Sequence, residues 1–160
     1  MLGVSGLELS NQEKDLFERI QPGGYVLFGR NFESAAQVRA LTDSLRELSY
    51  DEPIISVDQE GGRVSRTREI GIEPPSAQDL REKGDPNLMA VHGEITADML
   101  RLLGFNLCLS PVLDISYDDE CDNALRGRCW GTDAQEVITN AGVYNRYMRK
   151  RKMKSCAKHF

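Results

Sequence analysis

At 160 residues the chain is about one domain long and can bury a real core, and its 40% hydrophobic and 28% charged side chains exclude a disordered or bilayer-embedded polypeptide. A formal net charge of −5 argues against nucleic acid as the main partner. No apolar run approaches the roughly 18–20 residues that cross a bilayer, so no membrane partner is expected.

The first element is a short helix through about residue 20, opened by a capping box at Ser10 and Glu13. Pro22, Gly23 and Gly24 end it and turn the chain into a first strand over residues 24–28. Ser34 and Gln37 form a second capping box, and Val38, Leu41, Leu45 and Leu48 make the apolar stripe of the helix that follows. Strand two covers residues 54–57. The stretch 74–86 reads as irregular, and a helix over 87–103 is ended by Gly104. Strand three lies within 106–113, a polar loop covers 116–132, and Asp133 caps a helix to about residue 151. A fourth strand begins at Ser155. Six basic residues in nine, from Arg146 to Lys154, read as a solvated helix end whose cations oppose the helix dipole.

Strands alternating with helices predict an α/β fold with a parallel sheet and right-handed crossovers. A doubly wound open sheet and a (β/α)8 TIM barrel both satisfy this order. Gly29-Arg30-Asn31 after the first strand does not supply the G-x-G-x-x-G of a dinucleotide site. Polar residues follow all four strands, which favours the barrel. A complete barrel needs about 250 residues. Residues 1–160 are therefore expected to form a single partial domain, the N-terminal half of a barrel with four parallel strands.

Most other candidates have plain readings. Gly61 and Gly62 fit a turn needing positive φ, Arg63 a salt bridge at the barrel rim, and His92 a partly exposed structural position on a helix. Asp114 either pins its loop or touches a ligand. The acidic run 118–122 lacks the glycine and distal glutamate of a calcium loop, so no metal and no cofactor are expected. Four cysteines without a C-x-x-C pair, two of them (Cys108 and Cys156) within expected strands, read as reduced thiols. With no basic segment leading into an apolar core at the N-terminus, the expected location is cytoplasmic.

Five motifs, residues 27–31 (Leu-Phe-Gly-Arg-Asn), 57–64 (Val-Asp-Gln-Glu-Gly-Gly-Arg-Val), 106–114 (Asn-Leu-Cys-Leu-Ser-Pro-Val-Leu-Asp), 128–131 (Arg-Cys-Trp-Gly) and 157–160 (Ala-Lys-His-Phe), occur in one order. Together they resemble the catalytic barrel of glycoside hydrolase family 3, in its bacterial β-N-acetylhexosaminidase branch that acts in peptidoglycan recycling. The resemblance implies retaining hydrolysis of terminal β-linked N-acetylglucosamine from muropeptide or chitin-type oligosaccharides. It further implies that Asp58, Arg66, Arg128, Lys158 and His159 bind the sugar. Such groups suit the task, since a carboxylate can accept from two adjacent hydroxyls and arginine presents a rigid fork of donors. Cys129 and Trp130 stand where the family usually has Ser and Phe, and the loop before Arg128 is about one residue shorter. Arg126 thus competes with Arg128, which is preferred for its place before Trp130 and Gly131.

The family's general acid/base and nucleophile follow its Lys-His-Phe motif, so no catalytic residue is expected within this chain, and the active form is expected to continue past Phe160. A self-contained carboxylate pair of Asp58 and Glu60 is a minor possibility, with Glu60 otherwise orienting its loop through backbone or arginine contacts. A β-glucosidase of the same family, an aldolase-like barrel using Lys158 as Schiff base, and a non-catalytic fragment that binds sugar or self-associates also stay open. A half-barrel leaves unpaired strand edges, so marginal stability, aggregation or self-pairing is expected.

Overall fold

In the computed structural model, which describes residues 1–159, five helices surround a five-stranded sheet. The strands are β1 (Leu2–Gly3), β2 (Gly24–Leu27), β3 (Ile54–Val57), β6 (Leu107–Cys108) and β7 (Lys154–Ser155), in that spatial order and all parallel. A separate antiparallel hairpin, β4 (Gln59–Gly61) and β5 (Val64–Ser65), rises from the end of β3. The helices are α1 (Asn11–Ile20), α2 (Ala35–Glu47), α3 (Ala77–Lys83), α4 (Pro86–Leu102) and α5 (Ala134–Lys150).

The expected count of four strands is corrected to five. Leu2 and Gly3 pair with Tyr25 and Val26, and two residues are too few to show any periodicity in a sequence. The stretch 74–86 is corrected too, because it holds α3. Its cap is a third box, in which Ser76 Oγ accepts from the Asp79 N–H while the Asp79 carboxylate accepts from the Ser76 N–H. The second expected box is only half formed. Ser34 caps α2, but the Gln37 side chain accepts from the Glu33 N–H instead of the Ser34 N–H. Strand three is shorter than expected because Pro111 has no N–H to give to a ladder.

Register puts the core on one face of the sheet. Tyr25 lies beside Ile55, Leu27 beside Val57, and Val57 in turn beside Cys108, all fully buried. Phe17 from α1, Val38 and Leu45 from α2, Leu100 from α4 and Met148 from α5 join them in one cluster. The other face carries Val26 and Leu107, both half-buried, and exposed Lys154. A barrel wall carries helices on its outer face alone, whereas a doubly wound sheet carries them on both. Gly93 lets α4 approach α5 closely, since a Cβ there would lie 2.5 Å from the Tyr144 carbonyl oxygen. Among the described residues no helix is long and apolar enough to cross a membrane.

Candidate active site

The strands end where their polar residues begin. Asp58 follows β3 directly and opens into the β4–β5 hairpin, whose turn needs glycine. Gly61 has φ +93° and Gly62 φ +52°, and a Cβ on Gly61 would collide with the Pro75 carbonyl oxygen. Buried Gln59 fixes the return path. Its side-chain oxygen accepts from the Arg66 and Thr67 N–H groups at 2.9 and 3.2 Å, and its amide donates to Ser65 Oγ at 2.9 Å. Arg66 is thereby aimed back at Asp58. On the far side, Lys158 continues the line of β7 beside Val112, with its N–H on the Pro111 carbonyl at 3.1 Å.

Five charged side chains then converge. Lys158 Nζ lies 2.6 Å from Asp58 Oδ1 and 2.6 Å from Glu60 Oε1. Arg128 grips Glu60 with two parallel donors, Nε to Oε2 at 2.7 Å and Nη2 to Oε1 at 2.9 Å. Arg66 Nη2 stands 3.6 Å from Asp58 Oδ2. The hydrogen bonds to Glu60, with its negative charge, hold the Arg128 pKa above its ordinary value, although partial burial pulls the other way. Arg128 Nη2 also lies 3.2 Å from His159 Nε2, and His159 Nδ1 lies 2.7 Å from Asp114 Oδ2. An arginine can only donate, so Nε2 accepts and the ring proton sits on Nδ1, facing Asp114. The His159 backbone N–H donates to the same Asp114 oxygen at 3.1 Å.

All five sequence-derived residues, Asp58, Arg66, Arg128, Lys158 and His159, therefore share one cluster. Phe160, which closes the last motif, lies outside the described residues. Arg126 is not part of the cluster and pairs loosely with Glu120 at 3.8 Å, so Arg128 is the arginine at the site. Three carboxylates (Asp58, Glu60, Asp114) face three cations (Arg66, Arg128, Lys158), leaving the site close to charge balance. Alternating donors and acceptors without excess charge suit a neutral polyhydroxylated ligand better than a phosphate or a metal ion.

Several sequence readings are corrected. Arg63 makes no salt bridge among the described residues and instead donates to the Asn123 carbonyl at 3.1 Å. His92 is buried, stacked on Tyr144 at 5.3 Å between ring centroids and tilted against Trp130 at 6.5 Å. Burial lowers its pKa to about 4 against a smaller opposing bond to the Glu60 backbone. Cys156 is exposed just past β7, while Cys108 is buried. Trp130 and Asn31, both in the recognition motifs, are scaffold. Asn31 bridges the Val4 and Gly6 carbonyls to the Phe28 N–H, and Trp130 packs on Tyr144 at 5.0 Å. Gln59 escapes a reading of the sequence. Its one signal there is its place between two carboxylates, pointing to the opposite side of the hairpin.

Known proteins share this arrangement of chain. The sequence model of the "Glycosyl hydrolase family 3 N terminal domain" matches residues 1–160. A beta-hexosaminidase of Photobacterium profundum is 34% identical over 161 residues, covering 100% of this chain and 47% of its own. One from Vibrio cholerae is 34% identical over 160 residues, covering 99% and 48%. Among solved structures, NagZ from Neisseria gonorrhoeae in complex with N-trifluoroacetyl-D-glucosamine superposes with a TM-score of 0.86 at 30% identity, covering 100% of this chain and 48% of that one. A glycoside hydrolase family 3 beta-N-acetylglucosaminidase from Paenibacillus gives 0.87 at 32% identity, covering 100% and 31%. The chain spans about half the length of the curated relatives it matches.

Proposed function

The chain belongs to glycosyl hydrolase family 3, matching its N-terminal domain from end to end, and on that premise we propose that it supplies the sugar-gripping part of a retaining β-N-acetylhexosaminidase. The substrate class is an oligosaccharide with a terminal β-linked N-acetylglucosamine, of muropeptide or chitin type. The similarity to beta-hexosaminidases and to a NagZ holding an N-acetylglucosamine analogue supports this choice over a β-glucosidase. Peptidoglycan recycling in the cytoplasm is the setting that the family resemblance suggests.

The observation that carries the reading is the Asp58 carboxylate at the C-terminal end of a parallel strand, flanked by Lys158 and Arg66 and still a fifth exposed. In this reading Asp58 accepts from adjacent sugar hydroxyls while Lys158, Arg66 and His159 donate or accept around it. Nucleophile and acid/base are assigned to no residue of this chain. A retaining pair faces the scissile bond with its carboxyl groups about 5–5.5 Å apart. Asp58 and Glu60 each lie 2.6 Å from the one Lys158 ammonium, and Glu60 also holds two Arg128 donors, so both carboxylates serve as charge partners of the binding cluster.

The test is turnover of 4-nitrophenyl N-acetyl-β-glucosaminide by this chain and by a version continued to the length of its relatives. Turnover confined to the longer version is expected, with Asp58→Asn weakening it. Turnover by the 160 residues alone would return Asp58 and Glu60 to the role of catalytic pair. A second reading, self-association, has its own support. Among the described residues β1 and β7 flank the sheet and each pairs on one side only, the arrangement that recruits further strands. Sedimentation giving a monomer at all concentrations would remove it.

A further inference from the structure

The five expected sugar contacts do not stand on their own. Beneath them lies Glu60, whose side chain is 5% exposed against 28% for Arg66, 21% for Asp58, 17% for Lys158 and 13% for Arg128. A ligand entering from solvent meets the others first and does not reach Glu60. Yet Glu60, the most buried of them, holds two cations, as the more exposed Asp58 does. One Glu60 oxygen takes Lys158 and an Arg128 Nη2–H, and the other takes the Arg128 Nε–H.

Arg128 has nearly exhausted its donors. Arg128 has five N–H groups. Two go to Glu60, one to His159 and one to the Ala124 carbonyl at 2.9 Å, leaving one. Lys158 donates one of its three to Asp58 and stands 2.6 Å from Glu60 as an ion pair. Among the described residues Arg128 thus keeps a single uncommitted donor, and the direction of both cations is set by where Glu60 holds their head groups. His159 is fixed one step further out, between Arg128 and Asp114.

Building on the sugar-binding reading, we propose that Glu60 is the positioning residue of this site. Its buried carboxylate anchors Arg128 and Lys158, and through Arg128 it orients His159, so that their remaining donors meet the sugar from fixed directions. The role demands a charge and two acceptor oxygens together. It is therefore separable from packing, because Gln keeps the size of Glu60 but places an NH2 against a donor, whereas Asp keeps the charge but retreats by one methylene.

The experiment is titration of the 160-residue chain with N-acetyl-D-glucosamine, followed by NMR for wild type, Asp58→Asn, Glu60→Gln and Glu60→Asp. Thermal unfolding of each variant is recorded alongside. The Arg128 Nε–H resonance reports the anchor directly. Affinity is expected to fall about ten-fold or more in Glu60→Gln, with loss of that resonance from its wild-type position. In Glu60→Asp part of both is restored. The order wild type, Asp, Gln supports positioning by charge. The order wild type, Gln, Asp identifies a packing role and overturns the proposal, as does Glu60→Gln binding like wild type while Asp58→Asn does not bind. Absence of binding by the wild type instead overturns the sugar-site reading, and this proposal with it. Should Glu60→Gln fail to fold, Arg128→Lys reads the same contact, since a lysine cannot span both oxygens. Undiminished binding by Arg128→Lys would refute the anchor.

Discussion

Burial of His92 gives this protein a pH-dependent stability that a single substitution removes. In the folded chain its pKa is lowered to about 4 from 6.5, because the ring lies 7% exposed among Tyr144, Trp130 and α4 and the charged form is desolvated there. Its Nε2 has no hydrogen-bond partner among the described residues, so only the bond to the Glu60 backbone favours an imidazolium, and burial outweighs it. Linkage sets the sign. Below pH 6.5 the unfolded chain takes up a proton that the folded chain refuses. The stabilisation is therefore whole above pH 6.5, falls as pH drops, and is gone near pH 4. The gap between 6.5 and about 4 corresponds to about 3 kcal/mol. His92→Phe keeps an aromatic ring against Tyr144 and cannot titrate. Urea unfolding of both proteins in steps from pH 7.5 to 4 isolates the effect, because every other titrating group cancels in the difference. The variant is expected to gain about 3 kcal/mol on wild type across that interval, whatever their offset at pH 7.5. Parallel curves would refute the reasoning and show that the ring is hydrated or paired in solution.

A second acid-sensitive group lies in a different window. Partial burial works against ionisation of Glu13, but bonds from Ser10 and Ser5 outweigh it and lower the pKa to about 2. Its contribution is present above pH 4.5 and lost toward pH 2, and screening at this exposed site keeps it small, so Glu13→Gln should cost about 0.5–1 kcal/mol at pH 7 and nothing near pH 2 in thermal melts. Gly93→Ala places a methyl against the Tyr144 carbonyl, a backbone atom that cannot swing aside, and should lower stability by about 2–3 kcal/mol in urea; an unchanged midpoint would mean that α4 and α5 pack more loosely. Gln59→Leu strands the buried Thr67 N–H and the Arg66 N–H together, for a loss of about 2–3 kcal/mol. It should also displace Arg66 from Asp58, which a weakened N-acetylglucosamine titration would register.

The parts of this fold legible in sequence are those whose signal is local and repeated. The Val38, Leu41, Leu45 stripe and the Ser10–Glu13 cap announce α2 and α1, and each is as expected. β3 is legible to the residue because three β-branched apolar side chains, Ile54, Ile55 and Val57, run into Asp58. What fails is either too short to be periodic or owes its form to distant chain. β1 exists because Tyr25 and Val26 offer it a ladder, and α3 is a seven-residue helix carried by its capping box and by burial of Leu80. The burial of His92 is not legible because α4 alone cannot say which of its faces α5 will cover.

The same division runs through the candidate site, and it explains why Glu60 is harder to read than Asp58. While the β4–β5 hairpin returns Arg66 and a loop delivers Arg128, Asp58 and Lys158 lie 100 residues apart and are brought together by the parallel register of β3 beside β6 and β6 beside β7. Their polar character at strand ends is visible in one dimension, because a barrel displays such residues there whatever they bind. Which carboxylate faces the ligand and which lies beneath is set by the hairpin. Gly61 and Gly62 turn it sharply, Gln59 ties its return strand, and Glu60 is left pointing into the space that Arg128 enters from a loop 68 residues away. The single charge of Glu60 then serves two cations at once, so the stability of that loop and the aim of the sugar-facing donors are coupled through one buried group. Such coupling accounts for a scaffold that spends a glycine pair and a fully buried glutamine on so short a hairpin.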